Sequence, residues 1–163
     1  MYKNLPLRAK SKGVLLDAQL LTALIVGSLG EGEVERFTMT RQFSSRDAAE
    51  LSRIVKNFSW TCATPHVLAE ASNLLDWLDG DRKSAARRRL TAYVCNAREA
   101  QVWASEIVRT PVCCTLGITG AGLIMLAQEG NCTVFTADLP LYHYAARLRL
   151  DVVNFNHIRD AWL

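Results

Sequence analysis

Two aspartates occupy equivalent places in the chain. Asp17 follows the apolar run Gly13-Val14-Leu15-Leu16, and Asp138 follows Cys132 to Phe135 after Thr136-Ala137. Each precedes a stretch with helical spacing: Leu20, Leu21, Leu24 and Ile25 after the first, Leu139 to Leu148 after the second. Ligands of open parallel α/β sheets bind outside the carboxyl ends of the strands, so two carboxylates placed this way can meet in one cleft. Glu70 is the third candidate. It lies one residue off the apolar stripe of a helix that Thr64-Pro65 opens, with Val67, Leu68, Ala71, Leu74, Leu75 and Leu78 on the stripe. Clustered carboxylates repel one another, and an all-oxygen site of this kind suits Mg²⁺ or Mn²⁺. Such an ion would lower the pKa of a bound water and neutralise charge at a phosphodiester. The same residues have a plainer reading. Asp is a favoured helix N-cap, worth about 1 kcal/mol, and Glu70 alone could be a solvated helix residue.

Other chemistry finds less support. His66 and Glu70 stand four apart, which reads as a helix-surface pair rather than a metal site. Gly117-x-x-Gly120-x-Gly122 has the wrong spacing for a dinucleotide fingerprint and falls inside a helical pattern. His143 and His157 have no evident partners, and no serine or cysteine nucleophile signature is present. The five cysteines (Cys62, Cys95, Cys113, Cys114, Cys132) are odd in number and lack C-x-x-C spacing. They read as small apolar residues in a reducing compartment, not as a disulfide framework or zinc site. Trp60, Trp77, Trp103 and Trp162 read as core or interface residues rather than base-stacking platforms.

The elements that must position the acids follow from pattern and punctuation. Strands are expected at 13–16, 60–63, 132–135 and 151–155. Helices are expected after Asp17, from Ser45 to Phe58, from Thr64 until Gly80 closes the helix, through most of 81–109, over 115–129 and over 139–148. Residues 36–40 could hold an extended piece. The apolar face of the 45–58 helix (Ala48, Leu51, Ile54, Val55) is a candidate homodimer surface. Strands alternating with helices imply an α/β fold with a mainly parallel central sheet flanked by helices.

The 163 residues fit one domain, 1–163, with a basic and flexible N-terminal segment over 1–12. Net charge is only +3, but Arg82, Lys83, Arg87, Arg88 and Arg89 lie within eight residues, and Lys3, Arg8, Lys10 and Lys12 crowd the start. Such patches hold a phosphate backbone, form a solvated helix face or meet an acidic protein. The best apolar run, Val14 to Leu29, is interrupted by Asp17 and Gln19, so no membrane span is expected. No signal peptide is read, which places the chain in the cytoplasm.

Several segments resemble the PIN-domain family of metal-dependent ribonucleases, which includes toxins of toxin–antitoxin pairs. Val14-Leu15-Leu16-Asp17-Ala18 resembles its first motif. Thr64-Pro65-His66-Val67-Leu68-Ala69-Glu70-Ala71-Ser72-Asn73-Leu74-Leu75 resembles its second. Leu116-Gly117-Ile118-Thr119-Gly120-Ala121-Gly122-Leu123-Ile124, with Thr136-Ala137-Asp138-Leu139 beyond, resembles the third and fourth, and Asn154-Phe155-Asn156 fits the family's ending. The likeness spans nearly the whole chain, although 29–59 is longer than in compact members. It implies Asp17, Glu70 and Asp138 as Mg²⁺ or Mn²⁺ ligands, Thr136 as a hydrogen-bonding aid, an RNA substrate and an antitoxin protein partner.

One position departs from the pattern. The family places Asp after Leu-x-x-Thr, and Gly120 stands there. Natural loss of activity, selected inactivation and a misaligned motif would each produce this. Asp138 follows at the family's spacing, so the reading taken is an inactivating change in a chain whose ancestral form is active. Three function classes stay open: an impaired endoribonuclease, a non-catalytic RNA- or protein-binding module, and another Mg²⁺-dependent α/β phosphohydrolase.

Overall fold

The computed structural model describes residue 9 and residues 11–160. Lys3, Arg8, Lys10 and Trp162, and the flexibility expected of 1–12 apart from residues 9, 11 and 12, lie outside the described residues. The strands are β1 (Gly13–Leu16), β2 (Trp60–Ala63), β3 (Arg98–Glu99), β4 (Cys132–Thr136) and β5 (Val152–Asn154). They form one sheet in the order β3-β2-β1-β4-β5, parallel at every pairing. Parallel neighbours require crossover connections, and the described helices supply them: α1 (Ala18–Gly27), α2 (Glu33–Arg36), α3 (Ser45–Asn57), α4 (Pro65–Leu75), α5 (Gly80–Asn96), α6 (Ala104–Ile107), α7 (Cys113–Glu129), α8 (Leu139–Arg147) and α9 (Phe155–Asp160). The expected α/β architecture with a parallel sheet is therefore the observed one.

The centre of the sheet is dry. β1 and β4 are buried along their whole length, as continuous apolar strands covered on both faces should be. Leu15, Leu16, Phe135 and Phe155 are among the largest fully buried side chains. α1 packs on β1 and β4 and is flanked by α3 and α4. Among the described residues, no helix is long and apolar enough to cross a membrane.

Five expectations change. First, residues 36–40 are not extended. α2 ends at Arg36, and the Thr40 hydroxyl donates to the Val34 carbonyl at 2.8 Å, folding the segment into turns. Second, α4 ends at Leu75 and Gly80 opens α5 at φ +48° instead of closing α4. Third, the long helical stretch 81–109 breaks at Asn96. Arg98 and Glu99 pair with β2 as an edge strand, and only Ala104–Ile107 returns to helix. Fourth, the apolar face of α3 is not free for a partner copy. Ala48, Leu51 and Ile54 are buried, α3 packs on α1, and Phe58 meets Phe135 edge to face. Fifth, Cys62 and Cys132 form a disulfide; the other three cysteines are free. The tryptophans also divide: Trp77 (74% exposed) and Trp103 (60% exposed) lie outside the core, while Trp60 is half-buried beneath the Arg98 guanidinium, 4.3 Å from its ring centre.

Candidate active site

Asp17 stands where β1 passes into α1. Its extended backbone makes it the N-cap, and Oδ1 accepts from the Leu20 N–H at 2.7 Å. Oδ2 accepts from the Thr136 hydroxyl at 2.5 Å and the Ala137 N–H at 2.8 Å, both at the end of the neighbouring strand β4. Thr136 Oγ1 in turn accepts the Asp138 N–H at 2.9 Å. Asp138 repeats the arrangement of Asp17: it caps α8, with Oδ1 accepting from the Leu141 N–H at 2.9 Å. One hydroxyl thus ties two acidic N-caps together. The parallel register of β1 with β4, Leu16 opposite Phe135, brings the two strand ends level.

The environments of the two aspartates differ. Asp17 is buried and Asp138 is exposed. Burial pushes the Asp17 carboxyl above its ordinary value, the Asp138 charge adds to the rise, and the three hydrogen bonds it accepts oppose it.

Glu70, exposed on α4, completes the group. Asp17, Glu70, Thr119, Gly120 and Asp138 all line one cleft of about 120 Å³ at the carboxyl edge of the sheet. At about 30 Å³ per water, it holds an ion and a few waters, not a base. The structure therefore gathers the three predicted acids and the predicted gap in a single place. It does not close them into a cage. Among the described residues no group of three His, Cys, Asp or Glu side chains could hold a metal ion. Both oxygens of Asp17 are already hydrogen-bonded, which leaves Asp138 Oδ2 and the Glu70 carboxylate as the uncommitted donors.

Position 120 is more than a missing carboxylate. α7 kinks at Gly117, whose φ of +71° and ψ of −178° are non-helical and essentially restricted to glycine. The turn Cys113–Leu116 leans back over the following helix, and a Cβ at position 120 would lie 2.9 Å from Leu116 Cβ. Leu116 occupies the approach that an acidic side chain would use. An all-oxygen donor set fits Mg²⁺ or Mn²⁺ chemically, but the set is one ligand short and its fourth position is obstructed.

Two asparagines near the site carry more than their place in the family's ending implied. The Asn156 side-chain amide donates to the Ala137 carbonyl at 3.2 Å, and its backbone N–H donates to Asn154 Oδ1 at 2.9 Å. Arg159 donates to Asn156 Oδ1 at 3.1 Å and pairs with the buried Asp47 of α3 at 3.1 Å. The C-terminal helix thus holds the turn between Thr136 and Asp138. The Asn-x-Asn spacing after a strand was the only signal in the sequence.

The other candidates do not join the site. Arg82 pairs with Glu33 at 2.7 Å and Arg87 with Asp76 at 2.6 Å; Lys83, Arg88 and Arg89 have no ion pair among the described residues. Lys12 pairs with Asp151 at 2.9 Å. His66 Nδ1 is buried without a hydrogen-bond partner and makes no bond to Glu70. His143 stacks beside Tyr142, and His157 lies edge-on to the same ring. A larger cleft of about 720 Å³ opens between α1, α3 and α5, but its lining holds one acid, Glu31, and it lies away from the aspartates.

Compared with known proteins, the chain matches no protein-family model and no curated protein.

Proposed function

We propose that this chain is a PIN-type, Mg²⁺- or Mn²⁺-dependent endoribonuclease scaffold whose metal site is impaired at position 120. The observation that carries the reading is the convergence of Asp17, Glu70, Asp138 and Gly120, from four separate elements, on one small cleft at the carboxyl edge of a parallel sheet. A divalent ion bound there supplies an acidified water and charge neutralisation at the phosphodiester. The chain's own residues set up the rest. Thr136 and the Ala137 N–H hold Asp17 in a fixed, buried pose, and Asn156 holds the turn that carries Asp138. Glu70 and Asp138 face the cleft from opposite elements and give the site its negative charge. With Gly120 in place, metal binding is weak and RNA cleavage slow or absent.

The chain works in the cytoplasm under this reading, and a partner protein of the antitoxin kind restrains the active form. Lys83, Arg88 and Arg89 on α5 are the cations left to meet a phosphate backbone. A homodimer remains part of the proposal, but not through α3.

A second reading has one observation in its favour: Leu116 already fills the approach to position 120. A module that had given up metal and kept RNA or protein binding would look the same. The phosphohydrolase alternative has no lysine among the residues lining the cleft, and a small-phosphomonoester assay tests it. Single-stranded RNA incubated with Mn²⁺ separates the first two readings. The chain should be nearly inert, and Gly120→Asp combined with Leu116→Ala should restore cleavage by at least roughly tenfold, the scale on which changes around metal ligands act. If the double variant binds RNA but does not cleave it, the binding-module reading stands instead.

A further inference from the structure

At the amino edge of the sheet, opposite the acidic cleft, the two bridged cysteines sit on strands that are not neighbours. Cys62 is on β2 and Cys132 on β4, with β1 between them. The register explains how they meet. Gly13 pairs with Cys132, Leu15 pairs with Cys62, and residues two apart on a strand share a face, so Gly13 and both cysteines point the same way. A side chain at Gly13 would run into the Trp60 indole and come 2.8 Å from Cys62 Sγ. The missing side chain is the notch through which the two sulfurs reach each other across β1. The Cα atoms are 7.2 Å apart, at the outer edge of bridging distance, so the two thiols also fit side by side.

The pair is not sealed in the core. Both cysteines line a cleft of about 460 Å³, a size that admits a small molecule. Its walls also carry Lys12, Arg98, Glu99 and Glu129, a mixed set of charges that suits a small zwitterionic peptide. The backbone ladder β2-β1-β4 is complete in its own right, so opening the bridge leaves the strands paired.

We propose that Cys62 and Cys132 are a reversible thiol–disulfide exchange site for a low-molecular-weight thiol of the glutathione type, entering through this cleft. In reduction, the small thiolate attacks one cysteine sulfur and forms a mixed disulfide, while the other cysteine leaves as a thiolate. A second small thiol attacks the mixed disulfide, yielding the two protein thiols and the oxidised small-molecule disulfide. Oxidation is the same exchange in reverse, with glutathione disulfide accepting the two electrons. The bridge closes a loop with a sequence separation of 70 residues that contains Glu70 and Gly120, while Asp17 and Asp138 lie outside it. Its state therefore sets how tightly the two halves of the chain are joined, whether or not the acidic cleft binds metal.

The test is to equilibrate the whole chain in buffers of reduced and oxidised glutathione, trap the thiols by alkylation and map each cysteine by mass spectrometry. Cys62 and Cys132 should change together and reversibly, and the oxidised form should melt roughly 5–10 °C higher. Cys62→Ser should leave a persistent glutathione adduct on Cys132, which the wild-type chain resolves. The proposal is overturned if the two cysteines stay reduced in oxidised glutathione, if each carries its own adduct in the wild-type chain, or if the bridge resists millimolar glutathione.

Discussion

At the scale of single residues, burial decides which polar groups are committed and which are free to act. Asp17 accepts three hydrogen bonds and caps a helix, so its fixed position and its raised pKa have the same origin. Tyr93 shows the same physics outside the site. Its phenol is pushed from 10.0 up to about 12 by burial, against a hydrogen bond with Thr61. The unfolded chain releases that proton near pH 10 and the folded chain only near 12, so between those values the folded state binds more protons. Stability contributed by Tyr93 is full below pH 10 and lost as pH rises through 12. Denaturant melts of wild type and Tyr93→Phe should show the variant losing less across this window, by on the order of 2 kcal/mol; parallel curves would contradict the buried phenol. The sequence made the acids legible because aspartate after an apolar strand is a strong signal. It did not reveal Leu116, whose role depends on a backbone kink, or the thiol pair, which depends on strand register around a glycine.

At the scale of elements, punctuation was readable where one residue forces the outcome and misleading where tertiary contacts decide. Thr64-Pro65 opens α4 and Asp17 caps α1, as local chemistry requires. The stretch after Asn96 has helical composition, yet the open edge of β2 takes Arg98 and Glu99 as a strand, and Ala100 N–H donates to the Ala63 carbonyl at 2.8 Å. Gly80 misled because a glycine with positive φ closes one helix as readily as it precedes another. Gly117 is the element-scale determinant of the site. Gly117→Ala should cost about 1–3 kcal/mol in urea-monitored stability, since a Cβ opposes that backbone conformation. An unchanged midpoint would mean that α7 straightens at no cost and that the kink does not hold Leu116 over position 120.

At the scale of the whole molecule, the parallel sheet gives the chain two working edges. The carboxyl edge gathers three acids delivered by β1, β4 and α4, and the amino edge carries the bridged cysteines. The alternation of strands and helices predicted the first edge, since strand ends in such folds share a side. The second was invisible because strand order, unlike strand content, is not written in local pattern. The central claim is that the carboxyl-edge cleft is a divalent-metal site lacking one ligand. Calorimetric titration of Mn²⁺ tests it most directly, applied to the chain, to Gly120→Asp and to Gly120→Asp with Leu116→Ala. The account predicts weak binding by the chain, a modest gain with the single change and the tightest binding, at least roughly tenfold stronger, with the double, abolished by Asp138→Ala. Equal Mn²⁺ affinity in all three, or binding that survives loss of Asp138, would contradict it.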